Sequence, residues 1–222
     1  MSFGTQNIAL MCAAGAFGLM AGLVLCGHVA RGAKGALAQC SRTVRISTGL
    51  ACGVACAALA GVCGFHLQAI ELMLFACVLC HLSLTDIDRR EIPNADIAAA
   101  LSIRLAYMLH GTFTGEFYFA DVRFYLVSFV VILVLLLVPV LIADRFLGVD
   151  SMGGGDIKLL AVCALYLGWF QTLVVLFVAC VLGLLSVVPA LIRRGKDEAG
   201  SLTFPFGPTI AIATVLGLLV FG

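Results

Sequence analysis

The chain of 222 residues is 63% hydrophobic and only 11% charged, with a mean hydropathy of +1.16. A water-soluble domain of this length carries roughly a quarter of its residues as charges, so the composition excludes one and points to an all-α, polytopic transmembrane helical bundle. The net charge of +1 comes without a basic tail or an aromatic-basic patch, so the expected surroundings are a lipid bilayer, with no nucleic-acid partner.

Taken in order, apolar runs separated by polar breaks predict about eight spans, at 8–29, 48–65, 69–85, 95–110, 123–143, 157–170, 172–192 and 205–221. Runs near ~20 residues are what a bilayer crossing needs. The breaks at 66–68 and around Gln171 are weak, which leaves seven or eight spans open. The third, fourth and sixth runs are short. The first run lacks a preceding cationic segment, so it is expected to be a retained span and not a cleaved signal. In the first two spans, Gly18-xxx-Gly22 and Gly49-xxx-Gly53 permit close helix packing. No internal repeat or linker appears, and the whole chain is expected to form one membrane domain. Within it, residues 1–65 form an N-terminal two-span segment and 70–210 a core.

Cationic residues orient this bundle. Arg31, Lys34, Arg42 and Arg45 fall in the first connection, and Arg89 and Arg90 in the third. Arg145 and Lys158 flank the fifth, and Arg193, Arg194 and Lys196 the seventh. By the positive-inside rule the odd connections are cytoplasmic and the N-terminus is outside. Nine of the ten cysteines lie in apolar runs, and only Cys40 lies in a polar loop. Buried cysteine commonly acts as a small hydrophobe. Cys77-Val78-Leu79-Cys80 has the CxxC form without a second pair in a loop, so no metal is assigned. His28, His66, His81 and His110 sit at span ends without a partner motif, and Arg104 inside the fourth span is expected to pair with a carboxylate or to snorkel outward.

Charge is unfavourable in a bilayer, so clustered charge carries information. Two clusters fall on the same expected face: Thr85-Asp86-Ile87-Asp88-Arg89-Arg90-Glu91-Ile92-Pro93-Asn94, and Asp150-Ser151-Met152-Gly153-Gly154-Gly155-Asp156-Ile157-Lys158. Each has an ordinary account. Asp156 after a glycine turn suits a helix start, and Pro93 suits a helix break. Their coincidence suggests more, because two carboxylates sharing a semi-apolar site cannot both ionise easily. One then acts as general base and the other as general acid toward a water and a peptide bond. Glycine-rich loops also bind phosphate, but GxxxxGK[ST] is absent and Asp156 would repel the anion.

With these residues on view, the chain resembles the type IV prepilin peptidases of the GxGD aspartyl protease group. Gly153-Gly154-Gly155-Asp156 matches GxGD, with Ile157-Lys158-Leu159 as the usual continuation. Asp86, seven residues before Pro93, matches the first catalytic aspartate, and "FPFGP" (Phe204 to Pro208) resembles a third family segment. The resemblance covers roughly residues 70 to 210. It implies an aspartic endopeptidase of the bacterial or archaeal cytoplasmic membrane, with its site facing the cytoplasm. That enzyme removes the basic leader of a prepilin or pilin-like protein. Asp86 and Asp156 are its implied catalytic residues, and no cofactor or metal is implied. Asp86 is preferred to its neighbour Asp88 on the motif match alone.

Substrate-binding roles are expected for Gly153, Gly154 and Gly155, as room for an extended leader. Glu91, Asp150 and Lys158 are expected near its charged groups. Larger members carry a cytoplasmic insert with two CxxC pairs after the first span. Here the loop at 30–47 is short and holds Cys40 alone, which argues against N-methyltransferase activity. The competing expectations are a proton- or cation-coupled transporter and a non-catalytic pilus or secretion assembly factor. The sequence leaves the particular pilin and the oligomeric state open.

Overall fold

A computed structural model describes residues 5–32, 42–64, 66–147, 153–193 and 205–221. They form eight α-helices: α1 (Thr5–Gly32), α2 (Arg42–Cys63), α3 (Leu67–Arg89), α4 (Asn94–Thr114), α5 (Phe119–Leu147), α6 (Gly154–Leu167), α7 (Trp169–Arg193) and α8 (Gly207–Phe221). No strand occurs among the described residues. Each expected span has its helix, and both weak breaks prove real. They fall beside Gly64 and Gly168, whose φ of 68° and 89° lie in the left-handed region that a residue with a Cβ rarely enters.

Five helices are long and apolar enough to cross a membrane: α1, α2, α3, α5 and α7. The expectation of about eight crossings therefore narrows to five such helices among eight. α3 and α4 are longer than their apolar runs implied, because each continues into polar residues. α6, with 14 residues, reaches only about 21 Å at 1.5 Å per residue, short of the ~30 Å hydrocarbon core.

α3 and α6 form the centre. α3 packs against α1, α2, α4 and α8, and α6 against α4, α5, α7 and α8. Every residue of α6 from Leu159 to Leu167 is buried, so protein and not lipid surrounds this short helix. The outward faces of α1, α5 and α7 carry exposed Phe, Leu and Val side chains such as Phe17, Val130 and Phe177, which is the pattern of a surface wetted by lipid.

At one end of the bundle Arg104 of α4 is buried. Its Nη1 donates to both carboxylate oxygens of Glu71 on α3 at 3.0 and 3.2 Å, and its Nε donates to the Leu165 carbonyl near the end of α6 at 2.7 Å. The rings of Tyr107, Phe117, Tyr125 and Tyr166 surround the guanidinium, Tyr125 the nearest at 4.7 Å. Of the two expected fates for Arg104, the structure selects the carboxylate. Tyr166 also stacks on Phe75 and donates its hydroxyl to the Ala100 carbonyl. This knot ties α3, α4 and α6 together.

A candidate aspartyl site at the other end of the bundle

The opposite ends of these same three helices carry the two acidic clusters. α3 runs on past its apolar stretch and stops at Arg90, whose φ of 55° turns the chain and whose N–H closes on the Asp86 carbonyl at 2.8 Å. Pro93 then takes the N-cap position of α4 in an extended conformation. Proline lacks the N–H that a helix interior needs, and its fixed φ suits a helix entrance. Asp86 thus lies in the last turn of α3 and is 6% exposed. Asp156 lies in the first turn of α6, behind the Gly153 N-cap.

Asp86 is held from a third direction. The backbone N–H of Gly207, at the first turn of α8, donates to Asp86 Oδ2 at 2.8 Å. A Cβ at position 207 would lie 2.8 Å from that same oxygen and 3.1 Å from the Asp86 Cγ, so only glycine admits this approach. The segment around Phe206 and Gly207 therefore has a geometric task that the sequence reading did not assign. Its signal was present in "FPFGP", although Phe204 lies outside the described residues.

The two aspartates feel each other. Burial pushes the Asp156 carboxyl up from its ordinary 3.8, and the charge of Asp86 adds to the rise, to about 6. Asp88 differs from Asp86. Two residues along a helix turn the side chain by about 200°, and the Asp88 carboxylate is fully covered, 3.8 Å from Arg89 Nε.

Contacts between the acidic clusters brace the site. Lys158 Nζ donates to Asn94 Oδ1 at 3.0 Å, joining the starts of α6 and α4. A Cβ on Gly155 would lie 2.8 Å from the Ile92 Cβ, so the chain's own α3–α4 connection fills the space beside Gly155. Gly154 faces open space. A Cβ on Gly153 would sit 3.1 Å from Asp156 Oδ2. Of the expected glycine clearance, Gly153 and Gly154 remain exposed, and Glu91 is exposed nearby in sequence. Asp150, Ser151 and Met152 lie outside the described residues, as do Lys34, Cys40, Arg194 and Lys196.

His81 has a partner: its Nδ1 lies 2.9 and 3.0 Å from the two carboxylate oxygens of Asp96, linking α3 to α4. The two residues are 15 apart and on different helices, so no local motif announced the pair. A cavity of about 620 Å³ bordered by Arg123, Phe124, Val127 and Trp169 holds neither aspartate.

Comparison with known proteins identifies relatives of this chain. The model of the type IV leader peptidase family matches residues 73–188, a stretch that contains both aspartates. A prepilin leader peptidase/N-methyltransferase from Stutzerimonas stutzeri is 31% identical over 173 residues, which cover 77% of this chain and 56% of that protein. One of the same name from Pseudomonas aeruginosa is 31% identical, covering 70% of this chain and 51% of the relative. Another from Aeromonas salmonicida is 36% identical over 72 residues, 32% of this chain and 24% of the relative. The chain spans about half the length of the curated relatives it matches over most of its own sequence. No solved structure matches it. With its family model covering more than half of the chain and both aspartate motifs, the protein belongs to the type IV leader peptidase family.

Proposed function

We propose that this multi-pass membrane protein is an aspartyl endopeptidase that removes the leader peptide of type IV prepilins or pilin-like proteins. The observation that carries the reading is the convergence of Asp86, Asp156 and the Gly207 N–H at one end of three packed helices. Asp86, with an N–H donated to it, is suited to be the ionised member that draws a proton from the attacking water. Asp156, whose proton is retained to about pH 6, is suited to donate toward the scissile carbonyl and then the leaving amine. Positioned acid and base groups of this kind contribute about 10²–10⁴-fold each.

Arg31, Arg89 and Arg145 lie in the last turns of α1, α3 and α5, in keeping with cationic odd-numbered connections, so the site faces the cytoplasm and the N-terminus lies outside. The membrane is the cytoplasmic membrane. A substrate with a basic leader and an apolar helix lies beside the bundle, its scissile bond level with the aspartates. Exposed Gly153 and Gly154 leave it room, Glu91 attracts its cations, and Lys158 braces the glycine turn through Asn94. The relatives' names also carry N-methyltransferase activity. We assign only the peptidase to this chain, because the segment between α1 and α2 is short and has one cysteine.

The test is processing of a co-expressed prepilin by wild type and by Asp156→Asn. Wild type is expected to shorten the substrate and the variant to leave it intact while inserting normally. Processing at the wild-type rate by Asp156→Asn would overturn the assignment. A folded wild type that processes no pilin-like protein would favour transport or assembly instead.

A further inference from the structure

Five of the ten cysteines converge around α2 and α3, apart from the aspartate pair. Cys52 and Cys56 are one helical turn apart on α2, and Cys77 and Cys80 are one turn apart on α3, so each pair shares a face of its helix. The Sγ atoms of Cys52, Cys56 and Cys77 all lie within 4.8 Å of one another. The Cys52–Cys77 separation is 4.0 Å, and the Cys56 thiol points at the Met73 carbonyl at 3.9 Å. Cys80 interacts with Cys52, Cys77 and Cys26 of α1. The second pair absent from the loops is thus supplied by a neighbouring helix.

We propose that Cys52, Cys56 and Cys77 form a binding site for a thiophilic d¹⁰ metal ion, of the Cu(I) or Zn(II) class, that clamps α2 to α3. With one side at 4.0 Å and none longer than 4.8 Å, an ion central to the three sulfurs sits about 2.3–2.8 Å from them, which a small inward shift of the thiols brings to the ~2.3 Å metal–thiolate distance. Thiolate sets select this class of ion over Mg²⁺ or Ca²⁺. Cys52 is 3% exposed and Cys56 is fully buried, and the close approach of α1 seals them. A Cβ on Gly18 would lie 2.8 Å from the Cys56 Sγ, and one on Gly22 3.0 Å from the Cys52 Cβ.

The third ligand gives access. Cys77 lines a cavity of about 330 Å³ with Leu25, Leu74, His81 and Asp96, so the route to the sulfurs passes a paired imidazole and carboxylate. Binding exchanges S–H protons for the ion, and the protons leave by the same route. Cys52 and Cys56 lie outside the span that matches the leader peptidase family and Cys77 lies inside it. The site therefore joins the N-terminal helices to the core, and its cysteines lie within α2 and α3, not in the segment between α1 and α2. It does not depend on the peptidase reading.

The experiment uses the full-length protein in detergent, reduced and stripped of metal. It is titrated with Cu(I) and, separately, Zn(II) against a chromophoric chelator, with thiolate-to-metal absorption recorded for Cu(I). One equivalent of at least one ion is expected to bind. Loss of an outer-sphere partner alone weakens metal sites about 10–100-fold, so each of Cys52→Ser, Cys56→Ser and Cys77→Ser is expected to lose at least about 100-fold. Cys12→Ser and Cys180→Ser, at exposed positions, are expected to bind as wild type. Circular dichroism confirms that each variant retains its helices, and blocking of the Cys77 thiol by a maleimide with metal protection gives a readout on unmutated protein. Failure of both ions to bind stoichiometrically, full binding by Cys52→Ser or Cys77→Ser, or a Cys52–Cys77 disulfide forming with no ion retained would each overturn the proposal.

Discussion

The two polar ends of α3 make opposite use of buried charge. Glu71, near its start, meets Arg104 in a pair whose side chains are 3% and 5% exposed, and the guanidinium is held by the Leu165 carbonyl, the Glu71 carboxylate and four aromatic rings. Asp86, about 22 Å further along the same helix, meets a like charge, Asp156, and is compensated only in part by the Gly207 N–H and by Arg90. Opposite charges at close range satisfy one another and become structure. Like charges that feel each other raise the pKa of one acid, the condition that the proposed acid–base chemistry requires. A polar group in an apolar bundle is therefore informative only once its partner's sign is known.

Four expected outcomes sharpen that contrast. The largest is loss of cleavage. Asp86→Asn is expected to slow processing of a purified prepilin by about 10⁴-fold, whereas Asp88→Asn, on a different face of α3, stays within a few-fold of wild type. The reverse order would transfer the role to Asp88.

At the opposite end, Arg104→Met strands the buried Glu71 carboxylate and is expected to destabilise the fold by about 3–5 kcal/mol, read from thermal unfolding in detergent. Arg104→Met combined with Glu71→Leu should recover most of that loss. Absence of recovery would mean that the pair does more than balance charge.

The pH dependence comes next. Asp156 holds its proton up to about pH 6 because it is buried and faces the Asp86 charge. The singly protonated pair is lost as pH rises through that value, so kcat/KM for the detergent-solubilised enzyme is expected to fall on the alkaline side. Replacing Asp86 by Asn removes the like charge, so the Asp156 carboxyl, followed by carbon NMR, should titrate lower than in wild type. An unchanged or higher midpoint would show that the two groups do not interact.

The smallest effect belongs to the brace. Lys158→Met removes one exposed hydrogen bond to Asn94 and is expected to cost less than about 1 kcal/mol. A KM raised more than tenfold would instead place Lys158 in contact with the substrate.

Much of this protein was legible in one dimension. Bilayer crossing is a short-range demand on consecutive residues, so hydropathy located seven or eight apolar segments, each now with its helix, although only five of the eight helices are long and apolar enough to cross. Their observed ends lie within a few residues of the expected spans for most of them, and Pro93 and Gly168 mark breaks where the backbone has few alternatives. The two motif aspartates were legible for a related reason: charge is sparse in such a chain, so a carboxylate beside an apolar run stands out.

What the tertiary structure alone decided concerns which faces meet. These helices are apolar nearly all round, so no stripe of polarity tells how each is rotated about its axis. The Gly207 N–H reaching Asp86 across 121 residues, Arg104 choosing Glu71 and His81 choosing Asp96 all depend on that rotation. The same is true of Ile92 filling the space beside Gly155 and of three thiols gathered from α2 and α3. Local sequence sets where a helix begins and ends. Only packing sets which side chain its neighbour presents, and in this chain that choice separates a structural ion pair from a pair of interacting acids.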